Sequence, residues 1–304
     1  MKQITYALTS IFLFFVMLCF PKETLSGATD GLLLWFQIVM PTLLPFFILT
    51  NFLIHTNSIK YISQICGPVL QKLFRVSPNG SFAVLAGFLC GYPIGAKVTA
   101  DLVKTDRISL SEGKYLLSFC NNTSPAFITS YIVIQNFKEE ELLFPTLLIL
   151  YLSPILCSFL FRRIYKIPSD ISKQTPNQDS SIRFGFEIVD ECIMNSFENI
   201  TKIGGYIMLF SILFSLGRKL PIAPVLPILE ITTGIPKILK TYTNFKTAYV
   251  LVLALTSFGG LCAVAQSNSM LNGTKLSITT YTIQKLITAG VTSLFAFTYI
   301  TMMM

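Results

Sequence analysis

Long apolar runs separated by short polar or charged stretches cover nearly the whole chain, and several runs are interrupted near their middle by residues that disfavour a continuous helix. The run 4–20, behind Lys2, is long enough for a short spanning helix. A charged start and apolar core also fit a signal peptide, with Leu25-Ser26-Gly27-Ala28 as a loose cleavage site; the retained helix is the expectation. The run 31–54 predicts a second span, broken by Pro41 and Pro45, because mid-helix prolines free carbonyls and bend the segment. Residues 55–79 mix Lys60, Lys72 and Arg75 with apolar residues, the pattern of an amphipathic helix lying in the membrane interface.

The run 81–103 is interrupted by Gly91-Tyr92-Pro93-Ile94-Gly95-Ala96-Lys97. Each arm has about 10 to 12 residues, roughly 16 Å at the helical rise, or half a bilayer core. A re-entrant hairpin is expected rather than a full span, since Lys97 and Asp101 make the second arm a poor lipid-facing helix. Ser109-Leu110-Ser111-Glu112 then reads as a capping box opening a helix to Asn136, itself interrupted by Cys120-Asn121-Asn122-Thr123-Ser124-Pro125. An unpaired backbone group in hydrocarbon is so unfavourable that such breaks survive only inside protein or against a water-filled cavity. Two breaks close together therefore predict a built site. Glu139, Glu140 and Glu141 suit an outer loop, 142–161 spans back to Arg162, Arg163 and Lys166, and 168–181 is the clearest linker.

The second half repeats this plan by pattern, not residue identity. A long helix over 186–216 ends at Arg218 and Lys219. The stretch 220–240 is broken over 230–236, and 246–271 from Ser257-Phe258-Gly259-Gly260 to Gln266-Ser267-Asn268; 276–301 is the last span. The resulting organisation is an N-terminal helix and loop (1–30), a first repeat (31–166), a linker (167–185) and a second repeat (186–304). Three crossings per half would invert the second copy, and inverted repeats with discontinuous helices characterise secondary transporters. The expected fold is an all-α polytopic membrane protein: an inverted-repeat, transporter-like bundle with two re-entrant hairpins and two broken helices.

Composition sharpens this. The 304 residues are 52% hydrophobic and only 12% charged, against about 25% charged in soluble domains. The net charge of +8 does not point to nucleic acid, because the basic residues fall mostly between apolar runs, as on a cytoplasmic membrane face. By that rule the N-terminus is cytoplasmic. None of the seven cysteines pairs as C-x-x-C, and His55, the single histidine, leaves no His-based metal centre. Ser111-Glu112-Gly113-Lys114 fits S-x-x-K without its companion motifs, so no enzyme is expected.

The candidate chemistry lies at the breaks. A half-helix N-terminus exposes unpaired N–H groups and the positive end of a dipole, suited to a carboxylate. Gly91 and Gly95 allow close backbone approach, Tyr92 stands between them, and Pro93 prevents a continuous helix. Lys97 either places its ammonium near an anion, or snorkels to the interface or pairs with Asp101. Asn121, Asn122, Thr123 and Ser124 either recognise a polar ring or coordinate a cation, or else bond between helices. Glu230 binds a proton or Na+, accepts substrate hydrogen bonds, or lies nearer the surface than its run suggests. Thr232, Thr233 and Gly234 would form its tip, with Gln266, Ser267 and Asn268 facing it; Gly259-Gly260 reads as close helix packing.

The stretch Gly87-Phe88-Leu89-Cys90-Gly91-Tyr92-Pro93-Ile94-Gly95-Ala96-Lys97, then Thr99-Ala100-Asp101-Leu102 and Phe119-Cys120-Asn121-Asn122-Thr123-Ser124-Pro125, resembles the nucleoside-recognition (Gate) domain membrane proteins, especially their sporulation integral membrane protein YlbJ-like branch. The resemblance runs from about Gly31 to the C-terminus and is weaker in the second half. It implies a relation to concentrative nucleoside transporters, and for the sporulation branch the movement of dipicolinic acid out of the mother cell across the outer forespore membrane. Dipicolinate, a pyridine with two carboxylates, suits Lys97 and the polar cluster, as would a nucleoside. The expected partners are thus a small-molecule anion and the lipid bilayer, with a homo-oligomer or other sporulation membrane proteins left open. A non-transporting scaffold is the alternative from another class. No cofactor is expected, and the coupling ion, H+ or Na+, is open.

Overall fold

The fold is described from a computed structural model for residues 2–65, 67–167, 186–218 and 225–303. Residues 168–185, most of the expected linker, lie outside the described residues, as do Cys66 and Lys219. Every regular element described is helical. After α1 (Lys2–Cys19), α2 (Pro21–Leu34) runs through a π turn (Trp35–Val39) into α3 (Met40–His55). Pro41 and Pro45 bend but do not break this segment. The π turn directly ahead of Pro41 re-spaces the ladder, the Met40 N–H reaching the Trp35 carbonyl. Where one amphipathic helix was expected there are two short ones, α4 (Ile59–Ile65) and α5 (Gly67–Phe74).

The first interrupted run forms α6 (Pro78–Leu89) and α7 (Ile94–Lys104), whose arms pack on each other. The next forms α8 (Leu110–Phe119) and α9 (Pro125–Phe127), continued by a π segment (Ile128–Phe137). Ser109 caps α8, its Oγ accepting the Glu112 N–H at 3.1 Å. Only half of the capping box forms, because the Glu112 carboxylate turns away to accept the Ser77 N–H at 2.6 Å, tying α8 to the start of α6. Beyond it come α10 (Leu143–Ile164) and α11 (Phe186–Gly217).

A 3-10 turn (Leu226–Ile228) leads into α12 (Ile231–Thr241), followed by α13 (Phe245–Phe258), α14 (Gly260–Met270) and α15 (Ile278–Met303). Two breaks are narrower than the sequence pattern suggested. The break expected over 230–236 lies at Leu229 and Glu230, and α12 continues through Pro236. A proline frees the carbonyl four residues back; here that is Thr232, whose oxygen accepts the Tyr131 hydroxyl instead. In the second broken run only Gly259 and Gly260 interrupt the helix, with φ of +91° and +78°. They form the break itself, since this left-handed region favours glycine, and they also pack closely, an added Cβ at Gly260 falling 3.1 Å from the Ile228 carbonyl oxygen. Gln266, Ser267 and Asn268 sit inside α14.

Among the described residues five helices are long and apolar enough to cross a bilayer: Pro21–His55, Glu140–Ile164, Phe186–Gly217, Phe245–Met270 and Ile278–Met303. Burial runs the way lipid demands. On α10, Thr146, Ser153 and Ser158 are fully buried while Leu148, Leu152, Leu156 and Leu160 stay 37–50% exposed. In hydrocarbon the polar groups must find partners inside, and leucine gains nothing by hiding. This is an integral, multi-pass membrane protein.

Small residues bring α2 and α11 into backbone contact. Gly27 and Gly31 of α2 lie against the α11 backbone, where added Cβ atoms would come within 2.7 Å of Ile212 Cα and 2.8 Å of Met208 Cα. The Gly-x-x-x-Gly spacing puts both on one face. Trp35 locks the pair by donating its indole N–H to the Ile200 carbonyl at 2.8 Å.

Candidate substrate cavity

The break after α8 is held from several sides. The Tyr92 N–H, at the tip between α6 and α7, donates to the Asn122 carbonyl at 2.7 Å. Gly91 (φ +87°) makes that approach possible, because a Cβ there would stand 2.8 Å from the Ser124 nitrogen. The peptide between Tyr92 and Pro93 is cis. Gly95 packs as closely on the far side, its added Cβ falling 2.6 Å from the Cys120 carbonyl oxygen.

Asn121 joins three elements. Its Oδ1 accepts the Ala96 N–H in the first turn of α7 at 3.1 Å, and its Nδ2 donates to Ser267 Oγ at 3.0 Å and Tyr281 Oη at 2.8 Å. Asn122 Nδ2 donates to the Phe119 carbonyl at 2.7 Å. Thr123 Oγ1 donates to the Thr256 carbonyl on α13 at 2.9 Å, linking the two broken runs, and Ser124 Oγ caps α9 by accepting the Phe127 N–H.

In the second half Glu230 is the N-cap of α12. Its Oε2 accepts the Thr233 N–H at 2.8 Å, Thr233 Oγ1 at 3.1 Å and the Thr232 hydroxyl. Leu229 beside it accepts the Cys262 N–H at 2.9 Å, so this tip also rests on a broken run. Gly234 lets α12 lie over the Pro227 carbonyl, where a Cβ would stand 2.5 Å away.

Between the breaks lies a cavity of about 280 Å³. Gly91, Tyr92, Thr123, Ser124, Glu230, Thr232 and Gln266 all line it. Apolar side chains such as Ile38, Leu43 and Ile207 form much of the remaining wall. Glu230 is its one charged lining residue among those described. The other sequence candidates stand elsewhere. Asn121, Asn122, Pro93, Gly95, Thr233 and Gly234 shape the breaks from behind, and Asn268 is exposed on α14.

Lys97 lines a different cavity, of about 490 Å³. Its Nζ donates to Asn51 Oδ1 at 2.7 Å and pairs with Asp101 Oδ2 at 2.5 Å. Lys104, Arg107 and Lys202 share this cavity with the acids Asp101 and Glu198, leaving it basic by two charges. Helices α3, α11 and α14 border both cavities, while the tip between α6 and α7 borders the smaller one and α7 the larger. On three of these elements the fully buried Phe47, Ile94 and Ile203 fall between the two linings.

Residues 36–138 match the family model described as Gate, nucleoside recognition. The chain is also similar to the sporulation integral membrane protein YlbJ of Bacillus subtilis (strain 168), at 25% identity over 324 aligned residues, covering 93% of this chain and 79% of that protein. No solved structure matches. The matched segment supplies one wall of the smaller cavity, with Gly91, Tyr92, Thr123 and Ser124; Glu230, Thr232 and Gln266 come from beyond it. Sequence reasoning missed Tyr131, Tyr151 and Lys285 around the Gate-domain break. Lys285 was legible as a lysine within an apolar run; the tyrosines, ordinary in apolar runs, carried no such signal.

Proposed function

We propose that this Gate-domain membrane transporter moves a small aromatic anion, dipicolinate, from the mother cell across the outer forespore membrane during sporulation, with its N-terminus cytoplasmic. The observation that carries the transport reading is the pair of cavities bordered by shared helices, with a buried apolar layer of Phe47, Ile94 and Ile203 between their linings. A path closed at one layer, with polar groups on both sides, is what alternating access requires, and discontinuous helices commonly build such sites. The similarity to a sporulation membrane protein supports the sporulation setting, and the basic cavity around Lys97 suits capture of an anion at one mouth. The two interrupted halves would then act as inverted repeats around the smaller cavity.

One observation favours a second reading, a nucleoside or other uncharged polar ring. Glu230 gives the smaller cavity a carboxylate and no facing cation among the described residues, which suits hydroxyl donors better than carboxylates. Uptake of labelled dipicolinate into proteoliposomes, with uridine and unlabelled dipicolinate as competitors, separates the two. Dipicolinate uptake resistant to uridine supports the first reading, the reverse supports the second, and no uptake of either leaves a scaffold.

Lys97→Met tests the basic mouth. It removes the ammonium at nearly constant volume and leaves the Asp101 carboxylate, 23% exposed, without its partner. A destabilisation of about 1–3 kcal/mol is expected, less than for a fully buried pair. Dipicolinate uptake should fall severalfold in protein that still elutes as a folded monodisperse species; unchanged uptake removes Lys97 from the path.

A further inference from the structure

We infer that the Lys285 ammonium occupies the place of a coupling metal cation, so that this chain works without Na+ or another alkali cation at its first break. The inference rests on the transport reading. In transporters, unwound backbone carbonyls and helix ends coordinate the coupling ion. Here the break between α8 and α9 frees the carbonyls of Asn121, Asn122 and Thr123. Each has a donor from this chain. Lys285 Nζ donates to Asn121 at 3.0 Å, the Tyr92 N–H to Asn122 at 2.7 Å, and Tyr151 Oη to Thr123 at 2.9 Å. Lys285 Nζ also lies 3.4 Å from Asn122 Oδ1. A carbonyl and an amide oxygen around one positive centre are the ligands a small cation takes, and the ammonium is that centre.

Lys285 is only 3% exposed. The ion pairs among the described residues are Lys97–Asp101 and Lys202–Glu198, and neither involves it. A buried ammonium without a counter-ion is strongly disfavoured. Bonding one carbonyl does not require it, since a neutral amide or hydroxyl would serve. What a neutral donor cannot supply is the charge. That fixed charge also repels a second cation from the same oxygens, which makes the resident ammonium and a bound metal ion alternatives. Lys285 is therefore a positioning residue: through Asn121 and Asn122 it holds the segment on which the Tyr92 tip rests.

The test uses the purified full chain in NaCl, KCl, LiCl or choline chloride at equal ionic strength. The wild-type protein should melt at one temperature in all four and, reconstituted, take up labelled dipicolinate or labelled uridine at one rate. Lys285→Ala should melt several degrees lower in choline chloride and recover with an alkali cation, because a ligand that binds only the folded state stabilises it. Lys285→Gln keeps a donor without the charge, guards against failure of the alanine variant to fold, and should show the same gain. An alkali-specific rise in wild-type melting temperature or rate overturns the inference, as does the absence of any such gain in the folded variants. If the wild-type protein carries no solute, the transport reading fails while the melting comparison still decides the cation question.

Discussion

Gly87→Ala is expected to destabilise the protein by about 3–5 kcal/mol, more than the same change at any other described glycine. An added Cβ would stand 1.8 Å from the Cys120 carbonyl oxygen and 2.8 Å from its carbon. Both are backbone atoms at the end of α8, so no flexible side chain can retreat. Relief requires α6 to move off the break, which separates the Tyr92 N–H from Asn122 and the Tyr151 hydroxyl from the Phe88 and Thr123 carbonyls. The melting temperature should fall by roughly 10 °C, or the variant should fail to accumulate. Gly205→Ala is the control: nothing lies within 4 Å of its added Cβ, and alanine is the better helix former. A Gly87→Ala protein as stable as that control would show that α6 does not press on the break.

Glu230→Gln is expected to change affinity with a sign that identifies the substrate. The carboxylate is 3% exposed and lines the smaller cavity. Two like charges about 5 Å apart at an effective dielectric of about 20 repel by about 3 kcal/mol. Removing that repulsion should tighten dipicolinate on the order of a hundredfold. For a nucleoside the same change removes a charge-assisted acceptor, and binding should weaken about tenfold to a hundredfold. The amide oxygen can still accept the Thr233 N–H that caps α12, so the fold should survive. Equilibrium binding of both ligands to the purified variant checks this. Weaker dipicolinate binding would move the assignment away from an anion bound beside Glu230.

Both predictions concern contacts that local pattern reports unevenly. The Gly-Tyr-Pro-Ile-Gly tip was legible because glycine and proline punctuate an apolar run whatever surrounds it. The width of the other breaks was not. Thr232 to Pro236 looks like a break until the Tyr131 hydroxyl, distant in sequence, accepts the duty of the missing N–H. Gly259-Gly260 reads as packing, which it makes, but only its backbone angles show that it is also the break. The Gly27–Gly31 spacing, by contrast, is present in the letters, although only the packed helices show what it faces.

The sequence by itself determined the class of molecule, the order of its apolar segments and the places where helix cannot continue, because hydropathy and backbone restriction are local properties. Only the tertiary structure decided which polar groups share a cavity. Tyr92, Thr123, Glu230 and Gln266 meet there, while Lys97 stands in another cavity beside Asp101 and Lys285 serves the first break. The reason is physical: inside a membrane protein a buried polar group is strongly disfavoured without a partner. Which partner it finds depends on how separate helices pack, and a single segment does not carry that information.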